Sequence, residues 1–413
     1  MKEWLSVDDA QRHIEHKTTA IARTCAIPLH QAYGRLLAHD VITPRDVPPY
    51  DNAAVDGYGI MWDDELLQEE RPAFRLVGRA TAGAPARYNV KKRQAVQLFT
   101  GTCMTDIEGV DTILMEEACQ QQDAQTILFI DKRHAHRGMN YRLRGEDVRQ
   151  GQNILPRGWR LRPQDMAMLA AMGHPTVDVM DRVRVGLFSS GNEIYDVDTP
   201  SLPQAGTYDS NRYAVRGMLS AWGAAIDDGG ILPDHQETMS HALRQASYRC
   251  DILITSGSIS ASESDAIGDI ISRYGALDFW RVKMKPGRPI AFGRLHGTPI
   301  LALPGNPVAV TVTFLLFARL LLQKRGGGIV SMPPRYPVTA FFSMDKKPGR
   351  REWIRCRLVE RDGVVGVERF MKTGAGLVTS LVRSDGLIDI AEDITHIHEG
   401  DSVFFTPYTA FLS

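Results

Sequence analysis

At 413 residues the chain is too long for one typical core, so two to four domains are expected. A formal net charge of −1, with 43% apolar and 23% charged residues, excludes nucleic-acid or membrane binding by bulk electrostatics, and any basic site must be local. The five cysteines, Cys25, Cys103, Cys119, Cys250 and Cys356, are scattered, odd in number and without CxxC spacing, which predicts reduced thiols in a cytoplasm.

The first residues, "MKEWLSVDDAQRHIEH", are charged almost at once and lack a signal-peptide core. Ser6 with Asp8 and Asp9 behind it predicts a helix start. A loop-like "YDNAAVDGYGI" leads into a β-type region holding "FRLVGRATAG", "QAVQLFTG" and "TILFIDK". "RGEDVRQGQNIL" reads as extended, and "RPQDMAMLAAMG" as a helix with Pro163 near its start and Gly173 as its stop.

From about residue 182 strands and helices alternate: "RVRVGLFSSG", "SNRYAVRGMLSAWG", "AAIDDGGIL", "TMSHALRQAS", "DILITSG", "DAIGDIISRYG", "FWRVKMK", "PIAFGRL" and "PILALPG". That rhythm predicts a mostly parallel, doubly wound α/β sheet, in which ligands sit beyond the carboxyl ends of the strands. "VAVTVTFLLFARLLLQ" is broken by Arg319 and too short to span a bilayer, so it reads as a buried helix. After the Gly- and Pro-rich "KRGGGIVSMPPRYP", short strands with hardly any helix predict a small β-barrel or sandwich.

Three strand ends, "FSSGNEI", "ITSGSISASESD" and "LALPGNPV", put Gly, Ser or Asn where backbone N–H groups attract anions. Any one of them is more often plain punctuation; three in one sheet favour a phosphate-type site. Arg281, Lys283 and Lys285 fall at alternate positions and share a strand face, either an anion site or a solvated edge. Asp56, Asp147, Glu193, Asp234 and Asp265 lie in turn-like settings and are either magnesium ligands or turn residues. No P-loop, GxGxxG, HExxH or GxSxG motif occurs, and no histidine pair has metal-ligand spacing.

Taken in order, the motifs resemble the molybdopterin molybdenumtransferases, the MoeA and gephyrin E-domain family, over essentially the whole chain. "NAAVDGYGI" resembles S-A-M-D-G-Y-A, "FTGTCM" T-G-A-x-x-P, "RLRGEDVRQG" R-x-x-G-E-D-x-x-x-G and "SSGNEI" S-T-G-D-E-L. "GTYDSNRYAV" is similar to G-x-I-x-D-S-N-x-x-x-L, and "SGSISASESD" stands where [ST]-G-G-V-S-V-G-x-x-D would be. "KMKPGRPIAFG", "LALPGNPVAV" and "GRREWIRCRL" resemble x-x-K-P-G-K-P-x-x-F-G, G-L-P-G-N-P-V-S-A and G-R-x-E-F-x-R.

The resemblance implies an elongated four-domain subunit that dimerises. Residues 1–47 with 141–180 would form the dimerisation domain, 48–140 a β-rich domain, 181–327 a molybdopterin-binding-type α/β domain and 328–413 a C-terminal β-barrel. It implies molybdenum cofactor biosynthesis: magnesium-dependent cleavage of adenylated molybdopterin, release of AMP and delivery of molybdenum from molybdate. The site would lie between the α/β and C-terminal domains of one subunit and the β-rich domain of the other. Asp56, Thr100, Asp147, Glu193, Asp234 and Asp265 inherit catalytic assignments, with Asp56, Glu193 and Asp265 as metal ligands. Ser256, Gly257, Ser258, Ser260, Lys283, Lys285, Arg288, Pro304, Gly305, Asn306, Pro307 and Arg350 inherit pterin, phosphate or molybdate binding. Implied partners are a molybdopterin-adenylating protein and cofactor-receiving molybdoenzymes or chaperones, with no nucleic acid and no membrane.

Several positions depart from the family pattern. Asn192 stands for Asp, Ser258 and Ser262 for turn glycines, Ala309 for Ser and Val55 for Met. All but the last fall on the expected ligand face. They leave a second reading open, a carrier that holds molybdopterin or the finished cofactor without inserting metal.

Overall fold

The alternating segments after residue 182 form the six-stranded sheet that their rhythm predicts. The structure, a computed structural model, describes residues 4–257, 259, 266–372, 374 and 376–412. The chain makes two compact units, one of residues 1–39, 157–162 and 176–413, the other of residues 40–156 and 163–175.

The first unit opens with helix α1, Val7–Lys17, whose N-cap Ser6 accepts from the Asp9 amide at 3.1 Å. Asp8 and Asp9 complement the helix dipole, and Val7, Ala10 and Ile14 are its buried face. The sheet is built from β1 (Arg184–Ser190), β2 (Ala225–Leu232), β3 (Ile252–Ser256), β4 (Gly275–Arg281), β5 (Pro289–Leu295) and β6 (Thr298–Leu303). Their spatial order is β2-β1-β3-β6-β5-β4, parallel from β2 to β6 and antiparallel through β5 and β4. Helices α2 (Ser210–Ala221), α3 (Gln236–Ser247) and α4 (Ala266–Tyr274) connect the strands. The central strands β3 and β6 are buried on both faces, which is why they read as continuous apolar runs.

Helix α5, Pro307–Arg325, starts with Asn306 at the N-cap position and Pro307 at N1. Its 19 residues are long and apolar enough to cross a membrane, more than the sequence stretch implied, yet 83% of its apolar 18-residue window is buried. A π-turn at Phe314–Ala318 precedes Arg319, whose Nη1 donates to Gln323 Oε1 at 3.1 Å and the Ser331 carbonyl at 2.9 Å. Burial lowers the Arg319 pKa to about 10. The Ser331 bond fastens the Gly- and Pro-rich segment to the helix, so that segment is packed rather than free.

Strands β7 (Tyr336–Ala340), β8 (Arg351–Arg361), β9 (Val364–Arg369), β10 (Gly386–Ile390) and β11 (Ser402–Pro407) close into the expected barrel in the order β8-β9-β7-β11-β10-β8. The stretch "FWRVKMK" is not one strand. β4 ends at Arg281, and Met284–Lys285 leaves the α/β sheet to pair in parallel with Arg351–Glu352 of the barrel.

In the second unit a six-stranded sheet runs in the order 119–123, 126–129, 73–80, 94–98, 57–60, 112–115. Phe74, Phe129, Ile60 and Leu114 fill part of its core. The helix Pro163–Ala171 and its stop at Gly173 stand as expected. "RGEDVRQGQNIL" is mainly turns, with Glu146 N donating to Leu143 O and Gln152 N to Arg149 O, and only Asn153–Leu155 is strand. Local hydrogen bonds there outcompete extension.

Candidate active site

The carboxyl ends of β1, β2, β3 and β6 lie in one row, because Ser190 is in register with Leu232, Ser189 with Ser256 and Ser256 with Leu303. Ser189 Oγ and Ser256 Oγ are 3.1 Å apart, and Ser190 Oγ donates to the Ser256 carbonyl. Gly257 follows with φ +88°; a Cβ there would sit 2.2 Å from the Ser190 carbonyl oxygen. Only glycine closes this turn. Ser258, Ser260, Ser262 and Asp265 lie outside the described residues.

Beside it, Asn192 and Asp234 clasp the ends of β1 and β2. The Asp234 amide donates to Asn192 Oδ1 at 3.0 Å, and the Asn192 amide to Asp234 Oδ2 at 3.3 Å. Glu193 is exposed, and its carboxylate folds back over Gly191. Behind the clasp, buried Arg212 pairs with Asp228, Asp209 and Asp196, which ties the loop after β1 to α2. Asn211 Nδ2 donates to the Gly305 carbonyl at 2.7 Å, while its buried Oδ1 has no partner among the described residues. That oxygen is an acceptor ready for a ligand N–H.

Next to this rim lies a cavity of about 470 Å³, walled by Met284–Pro289, Pro304, Asn306 and Ala309 on the α/β side and by Arg350, Glu352–Arg355, Arg369 and Phe370 on the barrel side. Five cations line it, Lys285, Arg288, Arg350, Arg355 and Arg369, against two carboxylates, Asp345 and Glu352. Lys285 Nζ is 3.1 Å from Glu352 Oε2, whose side chain is 3% exposed. Arg355 is 9% exposed, and the one side-chain bond it makes among the described residues is Nε to Ser380 Oγ at 3.1 Å. Burial pushes its pKa down, and no carboxylate among the described residues pairs with it. A buried, unpaired guanidinium is costly, and an anion in the cavity offsets that cost. Gly287, φ +100°, lets the turn pass Thr313, whose methyl would be 2.4 Å from a Cβ.

The structure therefore brings together Lys285, Arg288, Pro304, Asn306 and Arg350 at the cavity, with Gly305 and Pro307 in the same turn as Asn306. Ser256 and Gly257 stand at the adjoining rim with Glu193 and Asp234. Lys283 is not in the cavity wall; its amide donates to the Leu5 carbonyl and its carbonyl accepts from Arg351. Asp56, Thr100 and Asp147 lie in the second unit. There Asp56 Oδ1 accepts from both the amide and hydroxyl of Thr100 at 2.7 Å, and these bonds hold its carboxyl below the usual range. Asp147 is exposed, with its amide on the Val47 carbonyl. Arg355, Arg369 and Glu352 escaped the sequence reading. Arg355 closes the stretch "GRREWIR", and its signal was an arginine inside an otherwise apolar strand.

The residues present suit magnesium in its usual mode, one or two carboxylates plus substrate phosphate oxygens. Glu193 and Asp234, at the ends of β1 and β2, are the carboxylates at the rim that would serve in that mode. Among the described residues no group of three or more His, Cys, Asp or Glu side chains is placed to hold a metal alone.

Comparison with known proteins agrees with this architecture along the chain. Residues 5–173 match the MoeA N-terminal region (domain I and II), 186–324 a probable molybdopterin binding domain and 337–408 the MoeA C-terminal region (domain IV). The chain belongs to the MoeA family. It is 30% identical over 410 residues to the molybdopterin molybdenumtransferase of Haemophilus influenzae, covering 99% of this chain and 100% of that one. It is 29% identical to molybdopterin molybdenumtransferase 2 of Mycobacterium tuberculosis, covering 96% and 97%. The crystal structure of a molybdopterin biosynthesis moeA protein from Pyrococcus horikoshii superposes with a TM-score of 0.82 at 27% identity, over 98% of this chain and 100% of that one. The family's four-domain architecture is thus the one this MoeA-family chain adopts.

Proposed function

We propose that this MoeA-family protein inserts molybdenum from molybdate into adenylated molybdopterin, with cleavage of the phosphoanhydride and release of AMP. The cavity carries this reading: five cations around about 470 Å³, one of them buried without a carboxylate partner among the described residues, suit a tetrahedral dianion. The relatives named for molybdenum transfer over nearly the same length support it.

Arg355, Arg350, Arg369 and Arg288 would bind and orient molybdate, with Lys285 held at the wall by Glu352. The Ser256–Gly257 turn and the amides at the start of α5 would face the phosphates. Asn211 Oδ1 would accept from a pterin or adenine N–H. Glu193 and Asp234 would hold magnesium, which when bound neutralises charge on the phosphoanhydride. Incubation of the purified protein with adenylated molybdopterin, magnesium and molybdate should release AMP and yield molybdenum-loaded pterin. Bound pterin that stays adenylated at high protein concentration would instead support the carrier.

One observation bears on that carrier reading. Asn192 removes a carboxylate from the rim, but its Oδ1 still accepts from the Asp234 amide, as an aspartate oxygen would. The clasp keeps its shape and loses one negative charge. Asn192→Asp should therefore alter the magnesium dependence of AMP release without altering folding.

The working assembly we propose is a homodimer in the cytoplasm. It would receive substrate from a molybdopterin-adenylating protein and pass product to molybdoenzymes or their chaperones. The family resemblance and five unpaired cysteines support this. Light scattering at twice the subunit mass is the first check.

A further inference from the structure

We propose that the segment Trp4–Asp9 is a positioning element of the cationic cavity, acting on Arg288 through Trp4 and on β8 through Asp8. This rests on reading the cavity as an oxyanion site. The segment runs as a third strand beside the loop that carries Lys285. Leu5 bridges Val282 in parallel, with the Leu5 amide donating to the Arg281 carbonyl at 3.2 Å and the Lys283 amide to the Leu5 carbonyl at 2.8 Å. On its other side the same loop pairs with the barrel, Arg351 N donating to the Lys283 carbonyl at 3.1 Å. Residues 281–285 are therefore held between the N-terminal segment and β8.

Side chains repeat the arrangement. The Trp4 ring lies under two guanidinium groups, 5.2 Å from Arg288 and 5.9 Å from Arg281. Arg288 lines the cavity and has no carboxylate partner among the described residues. Left free, so long a side chain would lose rotamer entropy on binding an anion. An indole face fixes the guanidinium without neutralising it, whereas a carboxylate would fix it and cancel its charge. Asp8, in the first turn of α1, pairs with Arg351 Nη1 at 2.8 Å. Arg351 also makes a bidentate pair with Asp389 at 2.7 and 2.5 Å, so its charge is spent on placing β8 beside the cavity.

The test uses full-length Trp4→Ala, Trp4→Phe, Trp4→Leu and Asp8→Ala, with calorimetric molybdate binding and the molybdate dependence of AMP release. Loss of the aromatic face should raise the molybdate dissociation constant and half-saturating concentration about 3- to 10-fold in Ala and Leu, with kcat changed less than about 2-fold. Phe should recover most of the loss, and Asp8→Ala should lose less than Trp4→Ala because Asp389 still holds Arg351. Leu keeps an apolar side chain without a π face and is close to Phe in size, so the comparison of Leu with Phe decides the matter if the Ala variant folds poorly. Unchanged molybdate dependence in Leu, equal losses in Phe and Leu, or a fall in kcat alone would each overturn the proposal. A wild-type protein with no molybdate response sinks the functional reading first; a responsive wild type matched by Trp4→Leu sinks only the positioning role.

Discussion

Arg355 should destabilise the fold at rest, because its guanidinium is buried with one hydroxyl as its side-chain partner among the described residues. Arg355→Met should leave thermal stability unchanged or raise it by about 1 kcal/mol, while weakening molybdate binding at least about 10-fold. Arg355→Lys should fall between, keeping charge but losing the planar fork. Thermal melts and calorimetry read the two effects separately. Asp56 offers a pH test. Thr100 donates twice to one of its oxygens, so the carboxylate persists to lower pH than an ordinary aspartate. Thr100→Ala removes one of the two donors and should raise the Asp56 pKa, which NMR titration of that carboxylate would read. The sequence already placed Asp56 and Thr100 in motifs but held nothing of their contact, which joins residues 44 positions apart.

At the scale of elements, the strand ends decide the site. Gly257→Ala would put a Cβ 2.2 Å from the Ser190 carbonyl at a φ that side chains avoid. We expect it to cost about 1–3 kcal/mol and to reduce AMP release, as denaturant unfolding and activity would show. The opposite end of β3 is pinned by Asp251. Burial alone would raise its carboxyl pKa, but bonds from Arg23 at 2.9 and 2.7 Å and from the Arg184 amide at 2.8 Å bring it below the usual value. A depressed folded-state pKa means that this stabilisation is present above the unfolded carboxylate's value of about 3.9 and is lost as pH falls through the folded one. Asp251→Asn should therefore lose stability at pH 7 and little at pH 2, which urea midpoints across that range would reveal. Strand and helix identities were legible because periodicity encodes burial on one face or two. The break in "FWRVKMK" was not. Val282 and Met284 stay buried and Arg281, Lys283 and Lys285 keep their alternation, yet the partner strand changes from sheet to barrel.

At the scale of the molecule, the cationic cavity belongs to neither the α/β sheet nor the barrel alone. Lys285 and Arg288 come from one, Arg350, Arg355 and Arg369 from the other, and the Met284–Lys285 pairing with β8 joins them. A chain ending before residue 328 should fold its sheet and show no measurable molybdate binding by equilibrium dialysis. Composition hid this, because a net charge of −1 averages a local excess of cations with acids elsewhere. Motif order disclosed the family, and geometry then chose among the charged residues, favouring Arg355 over Lys283.

The guanidinium at Arg355, without a carboxylate partner among the described residues, has a consequence for selectivity. A wall of cations reads net charge and tetrahedral shape, and sulfate offers both. Sulfate should therefore act as a competitive occupant, raising the apparent molybdate requirement in proportion to its concentration. Relief from that competition would have to come from the thiolates of the pterin, which bond to molybdenum and cannot displace oxygen from sulfur so readily. Choice of element would then rest with the substrate, and capture of the dianion with the protein.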